Sequence, residues 1–289
     1  MANIGLQETS ERKRYYMRNL RESEFRKISE MIYELCGINL HDGKKELVQA
    51  RLNKRLNLLG LDSYGDYIKY VECDESGEEL TKMVDSLSTN VTYFFRESDH
   101  FDFLSNRVLA KFNAEKERQR KFRVWCAGCS SGEEAYTIAM TLRENLSRVD
   151  SVDALILASD ISTRVLTAAR EARYGLAKFK ETPAVLRERY FDSEGIGDKR
   201  VFTAKQSLRS MVRFAYLNLT EPWPMKGQFD VIFCRNVMIY FDHKTQAELV
   251  NRFYGILKPG GYFFTGHSES LTGISHKFNF VRPSIYLKK

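Results

Sequence analysis

Long apolar stretches are absent from this sequence, although 43% of its 289 residues are hydrophobic. No uninterrupted apolar run approaches the roughly 20 residues that a membrane-spanning helix requires. The chain starts with MANIGLQETSERKRYY, which lacks the apolar core of a secretory signal. We therefore expect a cytoplasmic protein that does not insert into a membrane.

Cysteine is also scarce, and the five cysteines cannot all form pairs. Cys126 and Cys129 form an isolated C-x-x-C, which supplies too few ligands for a structural zinc site. A redox pair is an alternative for such a motif after a strand. We favour a third interpretation, in which small side chains fill a tight turn. Free thiols and no bound metal are predicted.

Several signatures of nucleotide and nucleic-acid binding are missing as well. The sequence contains neither G-x-G-x-x-G nor the Gly-Lys-Ser/Thr of a P-loop, and it has no aromatic-rich RNP strand. The net charge of +7 nevertheless indicates an anionic partner. Charge alone leaves both nucleic acid and an acidic protein surface open.

The first part of the chain, to about residue 88, has apolar residues at helical spacing. One helix is predicted around Phe25 to Leu35 and another over 44–60, where Gly60 supplies the C-terminal stop. A third covers 78–88. This part of the chain is therefore expected to be helical.

Lys44, Arg51 and Arg55 line up along the second of these helices, beside an apolar stripe. A solvated helix face is one interpretation of this basic row. The other is a docking surface for an acidic partner, which makes the three side chains candidates for substrate recognition.

From residue 122 the pattern changes to short strands that alternate with amphipathic helices. Strands are predicted at FRVWCA, ALILAS, VRFAYL, DVIFC and YFFTGH, and helices at EEAYTIAMTLRENL, STRVLTAAREA and HKTQAELVNRFYGIL. Such alternation predicts an α/β fold with a mainly parallel sheet covered by helices. Residues 174–210 interrupt the rhythm and predict an inserted subdomain, whereas KPGG at 258–261 predicts a turn.

The segment VWCAGCSSGEEAYTIAM, residues 124–140, predicts a strand, a loop of small residues and a helix. Small residues let a ligand approach the backbone closely. Glu133 and Glu134 at the helix start would repel a phosphate and favour a cationic ligand such as S-adenosylmethionine. The alternative is a helix N-terminus that its own acidic residues stabilise.

Two further strand ends carry polar residues. Asp160 ends the strand ALILAS, where an acid can accept both hydroxyl groups of a ribose, although a helix cap is the alternative. Arg235, Asn236 and Tyr240 follow the strand DVIFC. They offer donors and acceptors to an adenosyl group or an acidic substrate, unless they only cap a strand-to-helix turn.

Four segments of the sequence resemble the chemotaxis receptor methyltransferases, the CheR family: TNVTYFFRE (89–97), SSGEEAYTIAM (130–140), FCRNVMIYFD (233–242) and LKPGGYFFTGHSES (257–270). The resemblance extends over essentially the whole chain. It implies an N-terminal all-helical receptor-recognition domain (1–88), a linker that contributes to the cofactor site (89–99) and a Rossmann-like S-adenosylmethionine-dependent methyltransferase domain (100–289) with a small inserted β-subdomain (174–210).

The resemblance also implies which residues form the site. The matching cofactor-binding positions are Asn90, Thr92, Arg96, Glu134, Asp160, Asn218, Leu219, Arg235 and Asn236. Among them, Glu134 is expected at the ammonium group of the cofactor and Asp160 at its ribose. Arg96 and Tyr240 are the implied catalytic residues. Cys126 and Cys129 depart from the small residues expected at their positions, which should alter thiol sensitivity.

The implied function is methyl transfer from S-adenosylmethionine to glutamate side chains of methyl-accepting chemoreceptors. The enzyme is expected to be a monomer that binds the cytoplasmic domain of the receptor and no nucleic acid. A methyltransferase acting on RNA or a small molecule is an alternative, but the sequence lacks the Asn/Asp-Pro-Pro-Tyr/Phe motif of amine methylation. A cofactor-sensing adaptor is another, which the intact Arg96 and Tyr240 disfavour.

Overall fold

The computed structural model describes residues 18–115, 121–147 and 151–289. The first 17 residues, from which the absence of a secretory signal is predicted, lie outside these ranges. The chain groups into two compact units. The smaller comprises residues up to Ser29 together with His41–Leu87, and the larger comprises Glu30–Leu40 together with Ser88–Lys289. The sequence gives no signal that Glu30–Leu40 groups with the larger unit.

The smaller unit is helical, as the sequence predicts. Its helices are α1 (Glu22–Cys36), which begins there, α2 (Lys45–Leu59), α3 (Tyr64–Glu72) and α4 (Glu78–Leu87). The apolar stripe of α2 is buried, since Val48, Leu52 and Leu56 are fully covered. Gly60 ends α2 in the left-handed conformation that favours glycine.

The larger unit is built on a seven-stranded sheet with the order β6-β2-β1-β7-β8-β10-β9. Its strands are β1 (Lys121–Ala127), β2 (Asp153–Asp160), β6 (Val212–Tyr216), β7 (Phe229–Cys234), β8 (Leu257–Thr265), β9 (Asn279–Arg282) and β10 (Ile285–Leu287). The first five pair in parallel, whereas β10 pairs antiparallel with both β8 and β9. The predicted mainly parallel sheet is confirmed.

The described part of the larger unit also contains helices. They are α5 (Asp99–Phe103), α6 (Ala110–Ala114), α7 (Glu133–Asn145), α8 (Thr163–Glu171), α9 (Ala184–Tyr190), α10 (Gln206–Arg209) and α11 (His243–Ile256), with a π-helical stretch at Leu104–Leu109. None of the helices in the described ranges combines the length and apolar character that crossing a bilayer requires.

Strand β1 shows why this sequence forms a sheet that is covered on both faces. Val124 and Cys126 belong to one buried cluster, while Trp125 and Ala127 belong to another. Successive side chains of a strand point to opposite faces, so a continuous apolar run such as VWCA fits a strand that is buried on both sides.

Two features at the C-terminal side of the sheet differ from the sequence-based expectation. KPGG at 258–261 lies inside β8, which begins directly after α11, so the predicted turn is wrong. The backbone N–H of Gly260 donates to the Lys288 carbonyl at 2.7 Å, which pairs this stretch with the end of the chain. The short strands β9 and β10 were not predicted, because their few residues carry no clear alternation.

The inserted subdomain is confirmed as a small antiparallel sheet with the order β3-β5-β4. Its strands are β3 (Arg173–Gly175), β4 (Phe191–Glu194) and β5 (Val201–Ala204). Phe179, Phe191 and Phe202 are buried in the same cluster as one face of the large sheet. The insertion therefore shares the core of the larger unit.

Candidate active site

The candidate site lies where the strand order of the large sheet reverses, between β1 and β7. Loop 128–132 follows β1, Asp160 ends β2, and Arg235 follows β7 directly. Ligands of open α/β sheets bind at the carboxyl ends of the strands, at such a reversal. The fold thus brings together strand ends that are far apart in the sequence.

Loop 128–132 is held close to both neighbouring strands. The backbone N–H groups of Gly128 and Cys129 donate to the Ser159 carbonyl at 2.8 and 2.9 Å. Gly128 has a φ of +80°, and a β-carbon there would lie 2.2 Å from a methyl group of Val237. Glycine is needed for this approach, which places the ends of β1 and β7 side by side.

Asp160 is 8% exposed, and its two carboxylate oxygens face different backbone groups. Oδ2 accepts from the N–H of Ser130 at 2.8 Å and Oδ1 from the N–H of Ser162 at 2.9 Å. The residue that caps α8 is Ser162, whose hydroxyl accepts from the N–H of Val165. Asp160 therefore fixes the loop beside the site, and its contact with a ribose stays a prediction.

Replacing Asp160 with asparagine is expected to weaken S-adenosylmethionine binding by roughly 1–3 kcal/mol. The substitution exchanges one accepting carboxylate oxygen for an NH2 group, so a buried donor loses its acceptor. Isothermal titration calorimetry measures the change. Asp153 lies at the other end of β2 and is 57% exposed, so Asp153→Asn is a matched control that should keep the wild-type affinity. Unchanged affinity in a folded Asp160→Asn protein would remove this residue from the site.

The Arg235 side chain is 1% exposed and lies between two carboxylates. Its Nη1 is 2.9 Å from Glu134 Oε2, and its Nη2 is 3.0 Å from Glu97 Oε2. Burial acts to raise the pKa of Glu97, yet the Arg235 guanidinium holds that pKa below its ordinary value. Burial raises the pKa of Glu134 against the same guanidinium. Because so little of it is exposed, the guanidinium acts on a ligand mainly through these two glutamates.

Backbone conformations that non-glycine residues rarely adopt are concentrated at this edge of the sheet. Phe95, Glu97 and Asn236 have a φ of 58°, and Ser130 has a φ of 49°. Such conformations cost energy and persist where the surrounding structure imposes them, often at functional sites. Two of the four flank Arg96, so this backbone sets the direction in which Arg96 projects.

Asn90 and Thr92 attach the predicted linker to the loop and to the inserted subdomain. The Ser130 hydroxyl donates to the Asn90 carbonyl at 3.2 Å, and Lys178 Nζ donates to the Thr92 carbonyl at 2.8 Å. Lys178 also pairs with Glu133 Oε1 at 2.8 Å. The linker thus lies beside the loop, while cofactor contacts by the Asn90 and Thr92 side chains stay predictions.

Arg96 and Tyr240, the two predicted catalytic residues, are both partly exposed. Arg96 Nη1 donates to the Val91 carbonyl at 2.8 Å, and the Tyr240 hydroxyl donates to the Thr89 carbonyl at 3.4 Å. Both acceptors belong to the same short stretch of the linker, so both side chains contact this stretch. Their catalytic roles stay predictions.

Asn218 follows β6, as predicted, but its side chain already has a full set of hydrogen bonds. Nδ2 donates to the Leu35 carbonyl at 2.7 Å and to Glu221 Oε1 at 3.2 Å, while Oδ1 accepts from the N–H and hydroxyl of Thr220. An amide has two donor hydrogens and two acceptor lone pairs. The predicted adenine contacts of Asn218 and Leu219 would therefore use backbone atoms or the Leu219 side chain.

Cys126 and Cys129 are both buried free thiols. Burial raises the pKa of each thiol well above its ordinary value. Since the thiolate is the reactive form, the expected thiol sensitivity is not supported by this environment. The interpretation as a small filler of a tight turn fits the buried Cys129 of loop 128–132, whereas Cys126 lies in β1.

Glu97, His100 and His267 each place one potential metal-ligand atom within 4.8 Å of the others. His100 is fully buried, and His267 Nε2 lies 3.0 Å from Asp99 Oδ1. Guanidinium groups that pair with Glu97 and Asp99 lie beside the cluster and oppose a cation. We therefore interpret the cluster as support for Glu97 and assign no metal to it.

His100 is expected to make the protein less stable as the pH falls. Burial, followed by the charges of Arg235, His267 and Arg282, lowers the pKa of His100 to about 2 in the folded protein, with Glu97 Oε2 3.7 Å from the ring. The unfolded chain takes up this proton near its ordinary pKa of about 6.5. Below that pH, the histidine therefore lowers the free energy of unfolding by about 1.4 kcal/mol per pH unit.

Urea denaturation at pH 7, 6 and 5 tests this expectation in wild type and in His100→Phe. The variant should lose part of the pH dependence, whatever its stability at pH 7. His243 is exposed, so His243→Gln is the control and should keep the wild-type slope. Equal slopes in all three proteins would contradict the assignment of a buried neutral imidazole.

The basic row of α2 is not a solvated face, which corrects one interpretation made from the sequence. Arg55 is 16% exposed and forms two hydrogen bonds with Glu79, a carboxylate that is 3% exposed. Arg51 Nη1 donates to the Leu87 carbonyl. Lys44 lies in the short 3-10 turn that precedes α2. The role of these three residues in recognition stays a prediction, but two of them first serve the smaller unit itself.

The sequence does not single out Glu97 or Glu269, although both lie in segments that carry the family resemblance. Glu97 accepts from Arg235 and from the N–H of His267 at 3.2 Å. Glu269 accepts from backbone groups of the turn that follows β7. An acidic residue beside a strand end, in a segment with a recognisable motif, is the signal that could have found them.

Comparison with known proteins identifies the family of the chain. Residues 90–287 match the family model described as "CheR methyltransferase, SAM binding domain", and residues 23–88 match "CheR methyltransferase, all-alpha domain". A chemotaxis protein methyltransferase of Borreliella burgdorferi is 41% identical over 93% of this chain and 95% of its own length. Chemotaxis protein methyltransferase 2 of Pseudomonas aeruginosa is 41% identical over 91% and 92%. The Escherichia coli chemotaxis protein methyltransferase is 39% identical over 92% and 91%.

Proposed function

Since this chain belongs to the CheR methyltransferase family, we propose that it transfers the methyl group of S-adenosylmethionine to glutamate side chains of bacterial chemoreceptors. The products are glutamyl methyl esters and S-adenosylhomocysteine. Relatives named chemotaxis protein methyltransferases support a receptor as the substrate. The reaction would take place in the cytoplasm, on the cytoplasmic domain of the receptor.

The charges at the sheet edge fit S-adenosylmethionine. Glu97 and Glu134 outnumber the one guanidinium between them, that of Arg235, and Asp160 adds another carboxylate. When these groups are ionised, the edge has a net negative charge. It therefore attracts a cofactor with sulfonium and ammonium groups and repels a phosphate. Glu134 would hold the ammonium group and Asp160 the ribose.

The arrangement that carries the proposal is the pair Arg96 and Tyr240, held by one stretch of the linker beside this acidic edge. S-adenosylmethionine supplies an activated methyl group when bound, and a carboxylate oxygen takes it by in-line displacement. A glutamate is ionised at neutral pH, since its ordinary pKa is about 4.3, so no general base is required. Arg96 would orient the substrate carboxylate and Tyr240 would position it. Most of the rate acceleration would come from this placement of the reacting atoms.

The smaller unit supplies positive charge for recognition of a glutamate-rich receptor helix. Because Arg55 is hydrogen-bonded to Glu79, the charges best placed to bind a partner are those of the exposed Lys54 and the partly exposed Lys44. Attraction between exposed charges is screened beyond about 10 Å at 0.1 M salt. Receptor methylation should therefore slow as salt is added.

A competition between substrate classes tests the proposal. The enzyme is incubated with radiolabelled S-adenosylmethionine and either a receptor cytoplasmic fragment or RNA, and only the receptor should be labelled. Lys44→Glu with Lys54→Glu should raise KM for the receptor several-fold and leave cofactor affinity unchanged. Lys69→Glu with Lys82→Glu changes the net charge of the same unit equally and is the control. Labelling of RNA and not of receptor would contradict the proposal.

A further inference from the structure

Glu269 follows β8 and is 6% exposed at the edge of the sheet that carries the candidate site. No lysine, arginine or histidine within the described ranges pairs with its carboxylate. Buried carboxylates ordinarily require such a partner or several hydrogen bonds. Glu269 takes the second route, and its partners identify what it does.

Among the residues that the structure describes, only backbone N–H groups donate to the carboxylate of Glu269. Oε2 accepts from the N–H of Asn236 at 2.7 Å and from the N–H of Gly266 at 2.6 Å, while Oε1 accepts from the N–H of Ile239 at 3.2 Å. Two of these donors belong to the turn between β7 and α11. One side chain therefore ties the end of β8 to the turn that carries Asn236 and Tyr240.

The packing around this carboxylate leaves no spare room. A β-carbon on Gly266 would lie 2.5 Å from Asn236 Nδ2 and 2.8 Å from Glu269 Oε2. Asn236 itself has a φ of 58°, in the left-handed region that asparagine adopts more readily than most residues. The N–H of this same residue donates to Glu269, so the carboxylate contacts the left-handed position directly.

We propose that Glu269 is a positioning residue for methyl transfer. It holds Asn236 in the left-handed conformation and fixes the Asn236–Tyr240 turn, so that Asn236 and Tyr240 face the cofactor and the substrate. Glu269 touches neither of these and acts through the turn. This inference rests on the proposed function, because it assigns a role within that reaction.

A carboxylate is required for this task, and a carboxamide is a poor replacement. Both oxygens of Glu269 accept hydrogen bonds, so Glu269→Gln would direct an NH2 group at a backbone N–H. Glu269→Asp keeps the negative charge, but its side chain is shorter by one methylene group, so the carboxylate lies farther from the N–H donors. Both variants should release the turn, although for different reasons.

The experiment compares Glu269→Gln with Asp230→Asn. Asp230 lies at the opposite end of β7, where its carboxylate accepts from the N–H of Arg123 and from Lys258 Nζ. Cofactor affinity is measured by calorimetry, kcat and KM by receptor methylation, and stability by thermal unfolding. We expect Glu269→Gln to raise the cofactor Kd at least tenfold and to lower kcat at least tenfold. Both are measured at a temperature well below the melting temperature of the variant. Asp230→Asn should lose stability but keep the wild-type Kd and kcat.

Wild-type Kd and kcat in folded Glu269→Gln would overturn the inference, as would an equal loss in Asp230→Asn. If Glu269→Gln does not fold, Glu269→Asp decides by the same criteria. A wild-type enzyme that does not methylate the receptor would refute the proposed function instead. In that case the cofactor Kd still reports on the turn.

Discussion

An Arg55→Glu variant is expected to lose at least about 3 kcal/mol of unfolding free energy, because it leaves a buried carboxylate without its partner. Glu79 is 3% exposed and accepts from Arg55 and from the Tyr67 hydroxyl at 3.1 Å. Removing one member of a buried ion pair costs about 3–5 kcal/mol, and the substitution adds a second negative charge beside the first.

Urea denaturation of the whole chain, followed by hydrogen exchange of α2 and α4, measures this loss and places it in the smaller unit. Lys54 lies on the same helix and is exposed, so Lys54→Glu is the matched control and should change stability by less than about 0.5 kcal/mol. Equal stabilities of the two variants would show that the Arg55–Glu79 pair contributes little. If only Arg55→Glu loses unfolding free energy, this variant cannot be used to test receptor docking, because weaker docking could then result from the lower stability.

An Arg96→Ala variant is expected to lose about 100-fold in kcat while cofactor affinity changes less than tenfold. Removal of one preorganised donor from a transition state costs about 10²–10³-fold in rate. Arg96 is partly exposed, and its backbone is fixed by the unusual conformations of Phe95 and Glu97 on either side. Within the described ranges, the Arg96 side chain hydrogen-bonds only to the Val91 carbonyl, so a substrate carboxylate can reach its guanidinium.

Steady-state kinetics with a receptor fragment and calorimetry with the cofactor separate these two effects. Arg213 is exposed on β6, and its guanidinium donates to the Ser210 carbonyl much as that of Arg96 donates to a carbonyl. Arg213→Ala is therefore the control and should keep wild-type kinetics. An equal loss of cofactor affinity in Arg96→Ala, with kcat intact, would make Arg96 a cofactor ligand without a catalytic role.

Much of the fold could be predicted from local patterns. Five strands of the large sheet and the long helices carry enough apolar residues at a clear period, and VWCA could be recognised as a strand covered on both faces. KPGG predicts a turn because Gly and Pro usually mark turns, whereas in the structure Gly260 pairs with Lys288 near the C-terminus. Strand β10 also depends on pairing with β8, and β9 joins the sheet only through β10.

The site was predictable in its location more than in its contacts. Strand ends in an α/β fold indicate the edge where ligands bind, and Asp160 and Arg235 lie there. The sequence could not show that Arg235 is buried between Glu97 and Glu134. Nor could it show that the Asn218 amide donates a hydrogen bond to the Leu35 carbonyl. These partners are more than 100 residues apart, and only the folded chain brings them together. The same limit applies to Arg55, whose partner lies on another helix.

The central claim, esterification of receptor glutamates, is tested most directly by the chemistry of the product. Receptor cytoplasmic fragments are incubated with the enzyme and radiolabelled S-adenosylmethionine, purified and treated with base. Glutamyl methyl esters release labelled methanol, so volatile label is expected from wild-type reactions and about 100-fold less from Arg96→Ala at equal time. Label that remains on the receptor after base treatment would identify an N-methyl or other stable product and contradict the account.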